Sequence, residues 1–347
     1  MIHPFTSIRL LNLGLTESWR TQAVYHAVAE LMQADSPDTI IICQPQTPYL
    51  CLGYHQVYDA TFDRAECERR QLPVYRRKPG GGATYLDANQ LFYQCVFHHS
   101  RVPVLLKDIY QRLLAAPVTA LRRLGLHAEL RDLNEVEVEG KRIAGIGGGR
   151  IGEASVVVGN ILFDFDYEAM ARVWRAPSGA FRELALAAMK ERIATLRQHG
   201  NFEMEKVGAV LLEEFEKALG RPLRVDHLTA AEEDGARNVA TLMASAEYLN
   251  LHAEKGRVAP MESLKISANT FIRAAEVQLN GRTIRVSFRV DDDRIAVARF
   301  ESIPPQNWQK FETALRGMPF DEWEKFLGRF FRAAATIQLS GLNISRN

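Results

Sequence analysis

The sequence predicts an α+β protein in two units, a larger domain of strands and helices and a small α+β domain after it. Three observations lead there. A chain of 347 residues exceeds the usual size of one domain. Short β-branched runs such as Thr39 to Cys43 alternate with stretches whose apolar residues recur at helical spacing. From about Asp226 the character shifts, through a charged stretch, to β-rich runs beginning near Val258. The expected boundaries are 1–225 for the larger domain, 226–257 for a helical linker and 258–347 for the small domain.

In order, Val24, Ala27, Val28 and Leu31 mark an amphipathic helix bracketed by Thr16, Glu17 and Glu30, and Ser36-Pro37-Asp38 ends it. Thr39 to Cys43 and Tyr49 to Gly53 read as strands, with a short helix over Phe62 to Arg70. His55 reads as a partly exposed loop residue. Leu91 to Phe97 is a further strand, and Val104 to Leu126 a long helix with Leu106, Ile109, Leu113, Val118, Leu121 and Leu124 near one face. Ala128 to Leu133 and Glu135 to Glu139 read as strands. In the second, Val136 and Val138 alternate with Glu135, Glu137 and Glu139, the pattern of a hairpin with one wet face, turning at Gly140.

Val156 to Phe163 is the next strand. Helices follow from Tyr167, from Phe181 to Leu196 and from Phe202 to Leu219, the last closed by Gly220-Arg221-Pro222. Thr229 to Leu251 is the charged helical bridge. In the small domain, Ser263 to Val277 and Thr283 to Val290 read as strands joined by Asn280-Gly281, a strong hairpin dipeptide. Asp291-Asp292-Asp293 reads as a solvated hairpin tip rather than a cation site, before the strand Arg294 to Phe300. Helices over Trp308 to Leu315 and Asp321 to Leu339 close the chain.

Composition bounds the function. Forty-three Lys and Arg balance forty-two Asp and Glu, so a net charge of +1 gives no field for nucleic acid or an anionic membrane surface. No apolar run approaches the roughly 20 residues that span a bilayer, and the first fifteen residues carry no signal-peptide pattern. Cys43, Cys51, Cys67 and Cys95 form no C-x-x-C pair, so no metal ligand set is expected and a cytoplasmic location is.

Chemistry concentrates in Arg76-Arg77-Lys78-Pro79-Gly80-Gly81-Gly82, followed by Ala83-Thr84-Tyr85-Leu86-Asp87. Three glycines in a row weaken any regular element, but they let bare amides approach an anion. Two guanidinium groups suit a phosphate or carboxylate. The bland alternative is a structural turn beside a solvated basic edge. A second run, Gly145-Ile146-Gly147-Gly148-Gly149, follows about 60 residues later, behind Lys141 and Arg142. Two basic, glycine-rich loops at strand ends argue for a ligand cleft better than one.

These residues resemble the lipoate–protein ligase and octanoyltransferase family, whose glycine pattern is R-R-x-[ST]-G-G-G-x-x-x-H-D. The similarity continues through Gly140-Lys141-Arg142-Ile143-Ala144-Gly145, the strand Val156 to Phe163, Pro177-Ser178, Glu191 to Leu196 and the small domain from Ser263 to Phe300. The resemblance implies a biotin/lipoyl-ligase-like catalytic domain of mixed sheet flanked by helices, with a small α+β accessory domain and a hinge between Asp226 and Val258. It implies that ATP, with Mg2+, activates lipoate or octanoate as an acyl-adenylate. The acyl group then passes to a lysine of a lipoyl-domain protein: an oxoacid dehydrogenase acyltransferase subunit, a glycine-cleavage H-like protein or a lipoate-binding protein.

On that resemblance Arg76, Gly80, Gly81, Gly82, Tyr85, Asp87, Gly145 and Gly147 bind nucleotide, and Leu52, Gly53, Tyr54, Gln90 and Asn160 bind the acyl substrate. The family lysine stands immediately before the Ile or Val of its G-K-K-I-x-G segment; here Arg142 fills that slot and Lys141 precedes it. Strand neighbours face opposite ways, so Arg142 is expected in the cleft unless a bulge intervenes. Leu86 replaces the family histidine, and Asn89-Gln90 replaces its G-N, a glutamine there being similar to octanoyltransferases. An octanoyltransferase of one branch carries a cysteine after the proline matching Pro177; here Ser178 stands there and no cysteine follows Cys95, which points to adenylation. Binding lipoyl-adenylate or a lipoyl domain without turnover is the other alternative.

Overall fold

A computed structural model describes residues 6–253, 262–279, 282–331 and 337–340. Its elements begin with β1 (Ile8–Thr16), α1 (Ser18–Glu30), β2 (Thr39–Pro45), β3 (Tyr49–Leu52), α2 (Tyr58–Thr61), α3 (Arg64–Arg69), β4 (Val74–Arg76), β5 (Thr84–Leu86) and β6 (Gln90–His98). Next are α4 (Leu106–Arg123), β7 (Ala128–Arg131), β8 (Glu135–Val138), β9 (Lys141–Ile151), β10 (Ala154–Leu162), α5 (Tyr167–Val173), α6 (Gly179–Arg192) and α7 (Met204–Leu219). After β11 (Leu223–Val225) come α8 (Ala230–Ala244), α9 (Ala246–Leu249), β12 (Ser263–Ser267), β13 (Thr270–Leu279), β14 (Arg282–Asp291), β15 (Arg294–Ser302), α10 (Gln309–Leu315), α11 (Trp323–Phe331) and β16 (Ile337–Ser340).

The chain folds into two compact units, one of residues 1–58, 64–166 and 194–256, the other of 59–63, 167–193 and 257–347. These differ from the boundaries read off the sequence. The charged stretch expected as a linker is part of the larger unit, because its charges are paired there. Arg9 donates to Glu232 at 2.6 and 2.7 Å, and Arg20 pairs with Glu233 at 2.8 Å. Gly235 lets α8 lie close on α1, where a Cβ would stand 3.3 Å from the methyl of Ala27. Helices α5 and α6 belong instead to the small unit, where Arg289 reaches Glu191 at 2.5 Å.

The larger unit is built on an eight-stranded mixed sheet, β11-β1-β2-β6-β10-β9-β8-β7, parallel only across β11, β1 and β2. One face packs on α4 and α7 through Leu113, Leu121, Leu211 and Phe215. The other packs on α1 and α8 through Val24, Val28, Val239 and Met243. A three-stranded sheet, β4-β3-β5, carries the first glycine run. Strand β1 carries no clear mark in the sequence, since Gly14 and Asn12 interrupt its apolar run and bulge its pairing with β2.

Strand β8 has no wet face: Glu135 and Glu137, 4% and 6% exposed, are buried along with Val136 and Val138. Burial, with Glu135 beside it, holds the Glu137 carboxyl above its usual range. The second glycine run is not a loop but the body of β9, paired residue by residue with β10.

In the small unit, β12, β13, β14 and β15 form an antiparallel sheet, and β16 pairs along β13. The single strand expected over Ser263 to Val277 is broken at 268–269 into β12 and β13. The Asn280-Gly281 turn lies outside the described residues, although Leu279 pairs with Arg282 on either side of it. Asp292 and Asp293 take left-handed backbone (φ 48° and 60°) at a hairpin tip. The helix expected over Asp321 to Leu339 ends at Phe331, and Ile337–Ser340 is strand.

Candidate functional site

Strand β3 is the centre of the small sheet, with β4 parallel on one side and β5 antiparallel on the other. The chain must therefore cross the end of β3 between them, and residues 77–83, with the glycines, make that crossing. The approach is close. A Cβ on Gly53 would lie 2.0 Å from the carbonyl oxygen of Gly81, so only glycine fits beneath the loop. Gly81 itself has φ 93°. Arg77 turns inward and fixes the crossing from within. Its Nη2 donates to the carbonyls of Gly80 (2.8 Å) and Gly82 (2.7 Å). With the carbonyls held, the amides are left over: among the described residues no acceptor takes up the N–H of Gly80, Gly81 or Gly82. The loop lies over β9, with Pro79 Cα 3.7 Å from a Cβ position on Gly149 and Gly80 O 4.0 Å from one on Gly147. The two glycine runs thus form one platform.

Arg76 does not behave as the phosphate ligand expected of it. It is fully buried, and its guanidinium donates to five carbonyls: Gly53 (3.2 Å), Tyr54 (2.6 Å), Gln56 (2.7 Å), Tyr248 (2.7 Å) and Leu249 (2.5 Å). Those dipoles hold it as a clamp between the turn after β3 and the end of α9. Asp87 also faces inward, its Oδ1 accepting the amide of Asn89 at 2.9 Å, and burial raises its pKa. Leu52 is wholly buried, while Tyr54 is partly exposed and packs against His55 and His252. His55 is exposed beside Gly80.

A second group forms across β9, β10 and β6. Between Val136 and Glu137 the β8–β9 register slips, so that Val136 pairs with Ala144 but Glu137 with Arg142. This bulge changes the alternation and brings Arg142 onto the face of Gly145, where its Nη2 would stand 2.7 Å from a Cβ. Asn160 lies opposite Gly145; its Oδ1 accepts the Gly145 amide at 3.0 Å and its Nδ2 donates to Gln90 at 2.6 Å. Gln90 donates in turn to the carbonyl of Tyr85 at 3.1 Å. Gly145, Asn160, Gln90 and Tyr85 are thereby joined in one hydrogen-bonded network, and the Arg142 guanidinium lies beside it at Gly145. Burial pushes the Tyr85 phenol up to about 12. Lys141 is exposed.

His26 had no signal in the sequence beyond its place on an apolar helix face. It is buried, its Nδ1 lies 2.7 Å from the carbonyl of Gln22, and its Nε2 accepts the amide of Lys78 at 3.0 Å, directly before the glycine loop. Burial lowers its pKa from 6.5 to about 3. Between those values the unfolded chain takes up a proton that the folded chain refuses. Stability is therefore complete above the unfolded value and falls as pH drops toward 3, by about 1.4 kcal/mol per unit. Urea unfolding at about pH 7 and pH 5 should show roughly 2 kcal/mol of loss from this group. His26→Gln should reduce that slope; parallel profiles would refute the assignment.

Residues 17–216 match the family described as Lipoyl protein ligase A/B catalytic domain. The chain is similar to lipoate-protein ligase A subunit 1 of Thermoplasma acidophilum, 26% identical over 210 residues that cover 58% of this chain and 79% of the relative. It is similar to octanoyltransferase LipM of Kyrpidia tusciae, 27% identical over 267 residues, 69% of this chain and 97% of the relative. Its fold is that of a crystal structure of lipoate-protein ligase A bound with ATP, with a TM-score of 0.61 and 23% identity over 71% of this chain and 99% of that one. No helix among the described residues is long and apolar enough to cross a membrane.

Proposed function

The chain belongs to the lipoyl protein ligase A/B catalytic-domain family, and from that premise we propose that it is an ATP-dependent ligase that attaches lipoate or octanoate to a lysine of a lipoyl-domain protein. The observation that carries the choice of reaction is the state of the thiols. Cys43, Cys51, Cys67 and Cys95 are all buried, and burial pushes the Cys43 and Cys95 thiols far above their usual range. A thioester route needs an accessible thiolate. Ser178, at the place of the cysteine in one transferase branch, caps α6 by accepting the Phe181 amide at 3.1 Å.

In the proposed reaction an acyl carboxylate oxygen bonds to the α-phosphorus of ATP and pyrophosphate leaves. The acceptor amine then bonds to the acyl carbon, AMP leaves, and the ammonium gives up its proton. The chain's part is electrostatic. The Gly80–Gly82 amides face the phosphate, and Arg142, on Gly145 beside Asn160, holds the acyl carbonyl and the α-phosphate. Arg142 stays charged throughout, so it is no general base. Tyr54 and Tyr85 border the acyl chain. Mg2+ would be held chiefly by the ATP phosphates and would supply charge neutralisation there.

The second reading, octanoyl transfer from a carrier protein, is favoured by the match to LipM over 97% of that relative. One assay separates the two. Purified protein with ATP and lipoate should release pyrophosphate, and a lipoyl domain added next should gain the acyl mass on one lysine. Transfer from octanoyl-carrier protein without ATP would overturn the ligase reading.

A further inference from the structure

We propose that His98, His99 and Glu153 form a binding site for a divalent transition-metal ion, with zinc as the ion that fits. The three residues meet where β6 ends and where β9 turns into β10. The carboxylate Oε2 of Glu153 lies 3.2 Å from His99 Nδ1 and 3.8 Å from His98 Nε2, and the three ligand atoms all lie within 4.8 Å of one another. Tetrahedral zinc with bonds of about 2.0–2.1 Å needs ligand atoms about 3.3 Å apart, so the three atoms draw together and His99 Nδ1 gives up its 3.1 Å contact with the Glu153 carbonyl when the ion binds. The fourth corner is open to water, since His99 and Glu153 are solvent-accessible.

The backbone already holds the three residues in place. His99 N donates to Glu153 O at 2.9 Å, one step beyond the last β6–β10 pair, His98 with Ala154. His98 N donates to Asp38 at 3.1 Å, and Asp38 is fixed by Arg101 at 2.8 Å and Arg221 at 2.5 Å. Gly152, with φ 54°, sets the turn that presents Glu153.

A ligating histidine usually gives its other ring nitrogen to a partner that fixes the tautomer. His98 Nδ1 stands 2.8 Å from Ser100 Oγ, which can accept that proton and leave Nε2 with its lone pair toward the ion. The longer contact to Nδ1 from the Ser100 amide, 3.3 Å, is given up in that state. The facing charges are Arg101, tied to Asp38, and Arg150, whose guanidinium lies 3.8 Å from the same Glu153 oxygen and swings outward when an ion takes its place. Strand β6 sets this site eight residues from Gln90, about 26 Å, so loading it is separable from acyl transfer.

The test is competition for Zn2+ between the chelator-stripped full chain and a chromophoric chelator, with Co2+ absorption as a second probe. One equivalent is expected, with Glu153→Gln and His99→Ala each weakening it about tenfold or more. Melting without metal should be unchanged in Glu153→Gln, which separates lost ligation from lost folding. If the chain fails to compete for zinc, or if both variants bind as tightly as the parent, the proposal is overturned.

Discussion

Gly53→Ala is expected to lower adenylate formation by about 100-fold or more while the main sheet stays folded. The added methyl would stand 2.0 Å from the carbonyl oxygen of Gly81 and 2.9 Å from its carbon. Both are backbone atoms, so no side-chain rotation relieves the contact, and the loop must rise by more than an ångström. Overpacking of this kind costs about 1–3 kcal/mol. The larger effect is on chemistry, because a misplacement of about 1 Å in a preorganised site costs on the order of 100-fold. The Gly80 carbonyl also moves away from Arg77, which fixes the spacing of the amides. Gly82→Ala is the control for stability, since a Cβ there meets nothing within 4 Å and its melting temperature should not move. Pyrophosphate release and thermal melting read the two effects separately. Parent-like turnover by Gly53→Ala would show that the crossing does not set the phosphate site.

The residues gathered around the glycine platform were partly legible as a group in the sequence. The glycine triplet, the second glycine run, Gln90 and Asn160 stand where the chain's turns and strand pairings bring them together, whereas the crossing over β3 shows only in the strand pairing. What the sequence misassigned came from reading residue type without burial. Two adjacent arginines suggested two anion ligands, yet β4 alternation sends Arg76 into a shell of carbonyls and Arg77 under the loop. The Glu-Val alternation of β8 suggested water on one side, but both Glu135 and Glu137 are buried, which alternation alone does not reveal. His26 and the fit of Gly53 under Gly81 depend on contacts between residues 28 to 52 positions apart, which no local pattern carries. The placing of α8 was hidden for the same reason: its charges looked solvated until their partners, Arg9 and Arg20, were placed more than 200 residues away.

Arg142→Ala is expected to lower kcat by about 100- to 1,000-fold, the usual cost of removing one preorganised cation or donor from a charge-developing step. The bulge sets the position of this side chain. In an unbroken strand Arg142 and Ala144 would share a face and Gly145 the other. The slipped register instead sets Arg142 over Gly145, next to Asn160. Lys141, exposed at the start of β9, is then a bystander, and Lys141→Ala should stay within a few-fold of the parent. Arg142→Lys tests the chemistry rather than the placement. A lysine keeps the positive charge but loses the two-pronged geometry, and unlike arginine it can shed its proton when desolvated. This variant should retain most of the activity and acquire a decline of kcat toward high pH that the parent lacks. Should Lys141→Ala abolish turnover while Arg142→Ala spares it, the strand must bulge differently in the working enzyme, and the acyl-carbonyl role passes to Lys141.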